Sequence, residues 1–471
     1  MKEEIWRWSA TDVAERIRAK DISSREAVLS CLERIERVNP CVNAVVSLQA
    51  EAAMAAAEAA DRAVAAGAPL GLLHGVPITT KINVDQAGLP TTNGVVALAG
   101  NVAASDSPVV ANLRRAGAVI LGRTNTPAFS MRWYTENDLH GRTLNPWDSK
   151  ATPGGSSGGA SVAVATGMCA IGHGNDGGGS LRYPAYCTGT VGLRPSFGRV
   201  PAFNGTASGE RQLSLQWVSV QGAITRTVAD SRLALRAMVA PDPRDPWHVP
   251  LPIEMPECPK PCVAVSIDPA AVGVHDSVRD HVLKAASILA SAGYRVERCD
   301  PPDVAASARA WNDFAQGESR ISLAPQVRAL GDANSVRAFE LMMNRTPHLD
   351  AQALMHVAAS RATLLRHWQL FMESHPLVLC PVAMEPALPY GVDIESDQTV
   401  DRLYRSHTLL FATAFLGLPS ISVPTGVVDG IPMGVQIIGR RFREDMVLDA
   451  AHVIEQVCGV PTPMDPNQLN D

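Results

Sequence analysis

Strand-like and helix-like segments alternate along the chain, and this alternation limits the folds that are available to it. Residues 107–125 contain a helix-like stretch, a turn at Gly117 and the apolar strand AVILG. Residues 261–300 give a strand, a helix and a second strand in that order. Such a rhythm predicts a largely parallel sheet that is covered by helices on both faces.

The length of 471 residues would allow about three domains. However, 46% of the residues are hydrophobic, which is enough for one large core. The Pro-rich segment 240–261 could be a linker, but strand-like segments continue on both sides, so we interpret it as a surface excursion. We predict a single domain over residues 1–471. Its four parts are an N-terminal helical segment (1–68), the core that carries the motifs below (69–240), a strand-helix and helical excursion (241–375), and C-terminal strands with a closing helix (376–471).

The net charge and the least polar segments exclude several classes of partner. A formal net charge of −6 argues against a nucleic-acid or anionic-membrane surface. The first residues, MKEEIWRW, are charged from the second position on, unlike a secretion signal. The windows 160–172 and 409–423 are too short to span a bilayer. We therefore expect a cytoplasmic protein with no nucleic-acid and no membrane partner.

The nine cysteines are odd in number and scattered, which argues against a disulfide framework. Cys258 and Cys262 form the only close pair, and no Cys or His pair follows at zinc-site spacing, so we expect no metal site. Cys169 and Cys187 lie among small apolar residues, and we expect both to be buried, unreactive thiols.

The stretch TPGGSSGGASVA, residues 152–163, allows four interpretations. A flexible linker conflicts with the apolar, helix-competent residues that follow. A phosphate-binding loop would need a Lys-Ser or Lys-Thr pair after the glycines. A nucleophile elbow matches the spacing of Gly154, Ser156 and Gly158, but no strand precedes it. The fourth interpretation, a serine that acts in catalysis, depends on two further stretches.

The first of these, HGNDGGGSLRYPA (173–185), places three glycines directly before Ser180. The N–H groups of such a run can turn toward one oxygen atom, as in an oxyanion hole. The second, GVPITTKINV, sets Lys81 in an otherwise apolar strand. Because desolvation lowers the pKa of a buried lysine, the neutral amine could accept a proton. A structural, salt-bridged lysine is the alternative.

Taken together, the blocks 75–94, 152–167 and 174–200 resemble the three core blocks of the amidase signature family, serine hydrolases with a Ser–Ser–Lys triad. The order of lysine, first serine and second serine matches, and Ser156 and Ser180 are 24 positions apart, as in that family. Further similarity covers most of residues 10–457. The resemblance implies an α/β/α sandwich with a mixed, twisted central sheet, and an enzyme that needs neither metal nor cofactor.

The resemblance also implies a role for each matching residue. Ser180 is the expected nucleophile, Ser156 follows a cis peptide bond and relays protons, and Lys81 is the base. Gly177, Gly178 and Gly179, with the N–H of Ser180, are the expected oxyanion hole. Asp176 and Arg182 are expected to brace that loop without touching substrate. The neighbouring Ser157 and the histidines His74 and His173 are expected to be structural.

Three positions depart from the family pattern. Asn175 stands where the family usually has Thr, Thr188 where it usually has Cys, and Ala414 where it often has Asn. We expect none of these three residues to touch the triad. The segment 127–141 places Phe129, together with Met131, Trp133 and Tyr134, where the family builds an acyl-side wall. These residues predict substrate binding, and core packing is an equal alternative.

The sequence thus predicts an amidase that converts a carboxylic amide, favoured to be small and apolar or aromatic, into an acid plus ammonia or an amine through an acyl-enzyme. One alternative is the glutaminase subunit of an amidotransferase complex, which would need a partner protein. The other is a non-catalytic binding relative. The expected partner is a small-molecule amide substrate, and a homodimer is left open.

Overall fold

The computed structural model describes residues 4–255 and 260–466, and eleven strands of this part form one central sheet. With two further strands that form a hairpin, the described residues contain thirteen strands: β1 (Val45–Leu48), β2 (Pro77–Lys81), β3 (Val119–Thr124), β4 (Glu136–Asn137), β5 (Gly141–Arg142), β6 (Ile171–Asp176), β7 (Val191–Arg194), β8 (Val220–Thr225), β9 (Cys262–Val265), β10 (Arg295–Arg298), β11 (Leu377–Pro381), β12 (Ser420–Val428) and β13 (Ile431–Gly439). The central sheet has the order β1-β3-β2-β6-β8-β7-β12-β13-β11-β9-β10, and β4 and β5 form a separate hairpin.

The sheet is mixed, as the resemblance implies. Its parallel pairs lie in two groups, β3-β2-β6 and β11-β9-β10. The strands between the two groups, from β6 through β8, β7, β12 and β13 to β11, pair antiparallel. The alternation of strands and helices along the sequence corresponds to these parallel groups, because parallel neighbours need a crossover connection, which is usually a helix. The antiparallel pair β12-β13 needs only a turn at Asp429 and Gly430.

Helices cover both faces of this sheet. The α-helices are α1 (Ala10–Ala19), α2 (Ser24–Val42), α3 (Ala50–Ala65), α4 (Pro108–Arg115), α5 (Gly158–Ala165), α6 (Arg182–Thr188), α7 (Leu213–Val218), α8 (Val228–Met238), α9 (Asp276–Ser291), α10 (Val304–Trp311), α11 (Gly317–Ser322), α12 (Ala324–Leu330), α13 (Ala333–Arg345), α14 (Ala351–Ser374), α15 (Val392–Glu395), α16 (Asp397–Ser406), α17 (Thr408–Leu416) and α18 (Glu444–Cys458). Short 3₁₀ turns span Ile5–Arg7, Val96–Leu98 and Ala128–Ser130, and a π-helical turn spans Asn312–Gln316.

Two buried clusters enclose the sheet. One joins α1, α4, α8, α9 and α18 to one face, and the other joins α2, α3 and α5 to the opposite face. Helix α5 is buried on all sides, which its small residues GGASVAVA permit. A Cβ atom at Gly159 would lie 2.4 Å from the backbone nitrogen of Asn125, so glycine allows α5 to approach the end of β3.

The remaining buried clusters lie among helices α10–α17 and the strands β9, β11 and β13. Segment 300–375 is helical, as its sequence predicts. The described part of the Pro-rich segment contains no helix or strand, and it packs on the core through Arg199, which donates to the carbonyl of Leu251 at 2.8 Å. No helix among the described residues combines the length and the apolar character that crossing a membrane requires.

Candidate active site

Lys81 lies at the carboxyl end of β2 and is completely buried. Its Nζ atom lies within hydrogen-bond distance of three oxygen atoms: Ser156 Oγ at 2.7 Å, Asn175 Oδ1 at 2.9 Å and Ser157 Oγ at 3.1 Å. All three acceptors are uncharged. The alternative of a salt-bridged structural lysine therefore does not describe this side chain.

Burial is the main influence on the charge of this amine. Desolvation lowers the pKa of Lys81 well below its usual value, and the negative charge of Asp176 offsets only part of that effect. Burial therefore favours the neutral amine over the ammonium form. The neutral amine can accept a proton from a neighbouring hydroxyl.

The two serines beside Lys81 lie at the start of α5, in a loop whose glycines permit close packing. Residues 152–163 are all buried, unlike a flexible linker. Gly154 has φ +78°, and a Cβ atom there would lie 2.5 Å from Pro184 Cα. A Cβ atom at Gly155 would lie 2.6 Å from the carbonyl oxygen of Arg132. The Gly155–Ser156 peptide bond is cis.

Ser180 lies just before α6 and is 8% exposed. Its carbonyl oxygen accepts a hydrogen bond from the Ser157 N–H at 3.2 Å, which joins the two serine loops. Its hydroxyl forms no hydrogen bond with the described part of the chain. The contact between Lys81 and Ser156 is thus formed in this structure, whereas the Ser180 hydroxyl has no hydrogen-bond partner among the described residues.

The glycines before Ser180 differ in what their N–H groups do. The Gly179 N–H donates to Asp176 Oδ1 at 2.9 Å, and the Leu181 N–H donates to Asp176 Oδ2 at 3.2 Å. The N–H groups of Gly177, Gly178 and Ser180 have no partner within residues 4–255 and 260–466. Gly179 is therefore not a free donor here, in contrast to the sequence-based prediction, because the Asp176 carboxylate occupies its N–H.

Two tryptophans hold the other side of this loop. Trp311 Nε1 donates to the carbonyl oxygen of Gly177 at 2.7 Å, and Trp133 Nε1 donates to that of Gly178 at 3.1 Å. The Gly177 C=O and the Gly178 N–H belong to one trans peptide and point in opposite directions. The bond from Trp311 to this carbonyl therefore directs the Gly178 N–H away from the indole ring. Trp133 likewise turns the Gly179 N–H toward Asp176. Nothing in the sequence marked Trp311, which lies on α10.

Asp176 is the centre of a buried charge cluster. Arg182 contacts its two carboxylate oxygens at 2.9 and 3.0 Å, and Arg194 contacts Oδ1 at 3.1 Å. Burial alone would raise the pKa of Asp176, but the two guanidinium groups hold it well below its usual range. Arg182 also donates to Gln436 Oε1 at 2.7 Å, which ties the loop to β13. Both predicted supporting residues thus bond the loop itself.

The predicted acyl-side residues occupy different environments. Trp133 is 3% exposed and packs against the rings of Trp311, Tyr404, His407 and Phe411. Tyr134 is completely buried, and its hydroxyl donates to the carbonyl of Pro389 at 3.1 Å. Both residues are part of the core. Met131 and Phe129 are only partly buried, so they remain able to contact a substrate.

The other sequence-based expectations concern residues around the site. Burial lowers the pKa of His173 to about 4, and its Nε2 lies 3.0 Å from Gln221 Oε1. The Cys169 and Cys187 thiols are buried, and burial raises the pKa of Cys169 to about 11. Of the three departures from the family pattern, Asn175 touches Lys81, so the expectation that none contacts the triad is wrong for that residue. Asn175 lies near the carboxyl end of β6, and β6 pairs with β2, the strand that carries Lys81.

One cluster could be considered for a metal. Ligand atoms of Cys262, Glu297 and His375 all lie within 4.8 Å of one another. Arg295 already occupies this cluster, because it donates to Cys262 Sγ at 3.3 Å and pairs with Glu297 at 2.9 Å. The positive charge of the Arg295 guanidinium disfavours the binding of a metal cation at the same place. Cys258, the other member of the pair considered as metal ligands, lies outside the described residues.

Comparison with known proteins gives matches over most of the chain. The family model described as Amidase matches residues 26–448. An indoleacetamide hydrolase of Bradyrhizobium diazoefficiens is 44% identical over 458 residues, covering 97% of this chain and 87% of that protein. A glutamyl-tRNA(Gln) amidotransferase subunit of a Cyanothece species is 31% identical over 482 residues, covering 95% and 97%. The structure of a bacterial aryl acylamidase of the amidase signature family has a TM-score of 0.84 at 28% identity, covering 97% and 96%.

Proposed function

This chain belongs to the amidase signature family of amide-hydrolysing enzymes, and from that premise we propose that it forms an acyl-enzyme on Ser180, with Ser156 and Lys81 as its proton path. The observation that carries the proposal is the contact of 2.7 Å between the buried Lys81 Nζ and Ser156 Oγ. A neutral amine at this distance can take the hydroxyl proton of Ser156.

In the first half of the proposed reaction, the Ser180 hydroxyl turns toward Ser156 and gives it a proton, while Ser156 passes its own proton to Lys81. Ser180 Oγ then bonds to the amide carbonyl carbon. The free N–H groups of Gly177, Gly178 and Ser180 are the proposed donors to the oxyanion that forms. Removing one such donor costs about 3–4 kcal/mol in other enzymes.

In the second half, the carbon–nitrogen bond breaks, and the leaving nitrogen takes a proton that Lys81 returns through Ser156. The products of this step are an ester on Ser180 and free ammonia or amine. Water then attacks the ester by the same proton path and releases the acid. The residues named here supply every proton transfer, so this proposal assigns no step to a cofactor.

We propose an aryl-substituted primary amide as the substrate class, with indoleacetamide as the first compound to test. The similarity to indoleacetamide hydrolase supports this choice. The partly exposed side chains of Phe129 and Met131 also support it, because their neighbour Ser130 is hydrogen-bonded to Asn83, which in turn bonds Asn175 beside Lys81. We propose that these two side chains form an apolar wall of the substrate site.

The test is ammonia release by the purified chain from indoleacetamide, an aliphatic amide, an anilide and glutamine. We expect the highest kcat/KM with indoleacetamide, and no turnover by Ser180→Ala. The matched control is Ser374→Ala at an exposed serine on α14, which should keep wild-type activity. Wild-type turnover by Ser180→Ala, or no hydrolysis of any amide, would contradict the proposal.

A glutaminase subunit is the second candidate, because one component of an amidotransferase is 31% identical over 95% of the chain. In that case, the isolated chain would release ammonia from glutamine only with a partner protein and charged tRNA. Activity of the isolated chain on an aryl amide would exclude this candidate. A non-catalytic relative would leave Ser180 unlabelled by a fluorophosphonate probe.

We also propose that the enzyme works in the cytoplasm, which the odd number and scattered positions of its nine cysteines support. Cell fractionation with an antibody against the chain tests the location. A homodimer stays a prediction, and light scattering of the purified chain measures the mass that decides it.

A further inference from the structure

Lys81 Nζ has three hydrogen-bonding neighbours, and only one of them can face the lone pair of the neutral amine. A lysine ammonium carries three N–H donors, whereas the neutral amine has two N–H groups and one lone pair. The neutral amine can therefore donate to two of its three neighbours only. Lys81 can take a proton from Ser156 only if the lone pair faces that hydroxyl.

Asn175 is an acceptor in its contact with the lysine. Its Oδ1 accepts from Lys81 Nζ at 2.9 Å, while its Nδ2 donates to Asn83 Oδ1 at 3.0 Å. Asn83 Nδ2 in turn donates to Ser130 Oγ at 3.0 Å, and the Ser130 hydroxyl donates to Asn93 Oδ1 at 2.6 Å. Asn83 Nδ2 also donates to Asn175 Oδ1 at 3.3 Å, so the two carboxamides form a pair in which each donates to the other. A carboxamide oxygen cannot donate, so Asn175 must take one of the amine N–H groups.

Ser157 takes the second N–H group. Its Oγ accepts from Lys81 Nζ at 3.1 Å, and its own hydroxyl donates to the backbone carbonyl of Asn175 at 3.4 Å. With both N–H groups of the amine directed to Asn175 and Ser157, the remaining tetrahedral position of Nζ faces Ser156 Oγ at 2.7 Å. The same two acceptors also suit the ammonium form, whose third N–H points at Ser156.

We propose that Asn175 and Asn83 are positioning residues that direct the lone pair of Lys81 toward Ser156. This inference rests on the proposed function, in which Lys81 is the base. Asn175 acts on the lysine directly, and Asn83 acts by fixing which end of the Asn175 carboxamide faces it. Asn175, which contacts the lysine directly, is one of the three positions at which this chain departs from the usual family pattern.

The outer end of the chain of hydrogen bonds is held by unusual backbone. Phe129 and Ser130 have φ values of +58° and +55°, and Asn93 has +48°. Left-handed conformations are uncommon for residues other than glycine and persist where the surrounding structure demands them. In this segment Ser130 Oγ lies between Asn83 and Asn93, and because its hydroxyl donates to Asn93 Oδ1, it accepts from the Nδ2 end of the Asn83 carboxamide.

The charged and titratable groups that face Lys81 limit how a pH profile can be interpreted. They are His173 and Asp176 on β6 and Arg123 on β3. Burial lowers the pKa of His173 to about 4, and Asp176 is ionised between Arg182 and Arg194. Burial lowers the pKa of Arg123 to about 10. An acid limb between about pH 5 and 9 therefore reports on Lys81.

The test compares two variants of nearly equal size in the pH profile of kcat/KM. Asn175→Leu removes the acceptor and disfavours the ammonium, so the acid limb should move to lower pH while kcat falls by about tenfold to a hundredfold. Asn175→Asp adds a negative charge beside the amine, so the limb should move to higher pH. KM should change less than about threefold in both, because neither change removes a contact that binds substrate.

Asn83→Leu is the third variant, and it leaves every direct contact of Lys81 in place. We expect it to lower kcat by about tenfold, because the Asn175 carboxamide can then turn its amino end toward the amine. Limbs that move in the same direction in both Asn175 variants, limbs that stay at the wild-type pH, or a wild-type kcat for Asn83→Leu would overturn the inference. If Asn175→Leu fails to fold, the other two variants decide.

The failure of this inference can be distinguished from the failure of the proposed function. A wild-type acid limb together with an inactive Lys81→Met variant keeps Lys81 as the base. Unmoved limbs in the asparagine variants would then overturn only the role of Asn175 and Asn83. An active Lys81→Met variant would overturn both proposals.

Discussion

Lys81 Nζ lies 2.7 Å from Ser156 Oγ, and both side chains are buried, with 0% and 1% of their surface exposed. A buried amine with only uncharged acceptors is destabilised in its ammonium form. The fold therefore holds an amine whose neutral form is favoured next to a hydroxyl, with neither side chain open to solvent. This arrangement affects stability as well as chemistry.

The first prediction concerns the stability of Lys81→Met as a function of pH. Burial lowers the pKa of Lys81 in the folded chain, and this burial is absent in the unfolded chain. Since the unfolded state binds the extra proton, wild-type stability should rise relative to the variant as the pH rises from 7 to about 10. Tm values of both proteins across this range measure the difference. A difference that stays constant would contradict the lowered pKa of Lys81.

The second prediction concerns the two tryptophans that bond the glycine loop. Trp311→Phe removes the N–H that holds the Gly177–Gly178 peptide, whose N–H is a proposed oxyanion donor. We expect kcat to fall about tenfold with little change in KM, because the Gly178 N–H that Trp311 orients would stabilise the oxyanion only in the transition state.

Trp133→Phe is the matched control for Trp311→Phe. It removes a similar bond from the next peptide, but the Gly179 N–H of that peptide is already held by Asp176. We therefore expect a smaller loss of kcat. Equal losses in the two variants, measured by steady-state kinetics on the same amide, would contradict the assignment of donors.

The third prediction concerns Gly159, where α5 approaches the end of β3. Gly159→Ala would place a Cβ atom 2.4 Å from the backbone nitrogen of Asn125 and 2.7 Å from its carbonyl oxygen. Backbone atoms must shift, so we expect a loss of about 2–3 kcal/mol in the free energy of unfolding and a lower Tm. The control is Gly100→Ala, whose Cβ would meet nothing within 4 Å. A Tm for Gly159→Ala that equals that of the control would show that α5 is less closely packed.

The sequence alone predicted much of this site, because the residues lie in three short blocks whose order is meaningful. Lys81 in an apolar strand and the glycines around two serines carried the resemblance to the amidase signature family, and that resemblance implied that the three side chains meet. The structure shows the contact of Lys81 with Ser156. The mixed sheet also agrees with the prediction. The division of the chain into one domain stays a prediction, which limited proteolysis tests.

The parts that the sequence did not predict depend on packing between distant segments. Trp311 lies 134 residues from Gly177, and no local pattern links an indole N–H to that carbonyl. The Gly179 N–H is occupied because the Asp176 side chain folds back on its own loop. Asn175 touches Lys81 because β6 and β2 are neighbours in the sheet, so a change at one position of one motif becomes a direct contact with another.

The central claim is that Lys81 activates Ser180 through Ser156, and the rate of covalent labelling by a fluorophosphonate tests it most directly. Labelling is followed by mass spectrometry in the wild type, Lys81→Met and Ser156→Ala. The account predicts a label on Ser180 of the wild type, a rate that falls in acid, and a loss of about a thousandfold or more in both variants. A label on another residue, or a rate in Lys81→Met within tenfold of the wild type, would contradict it.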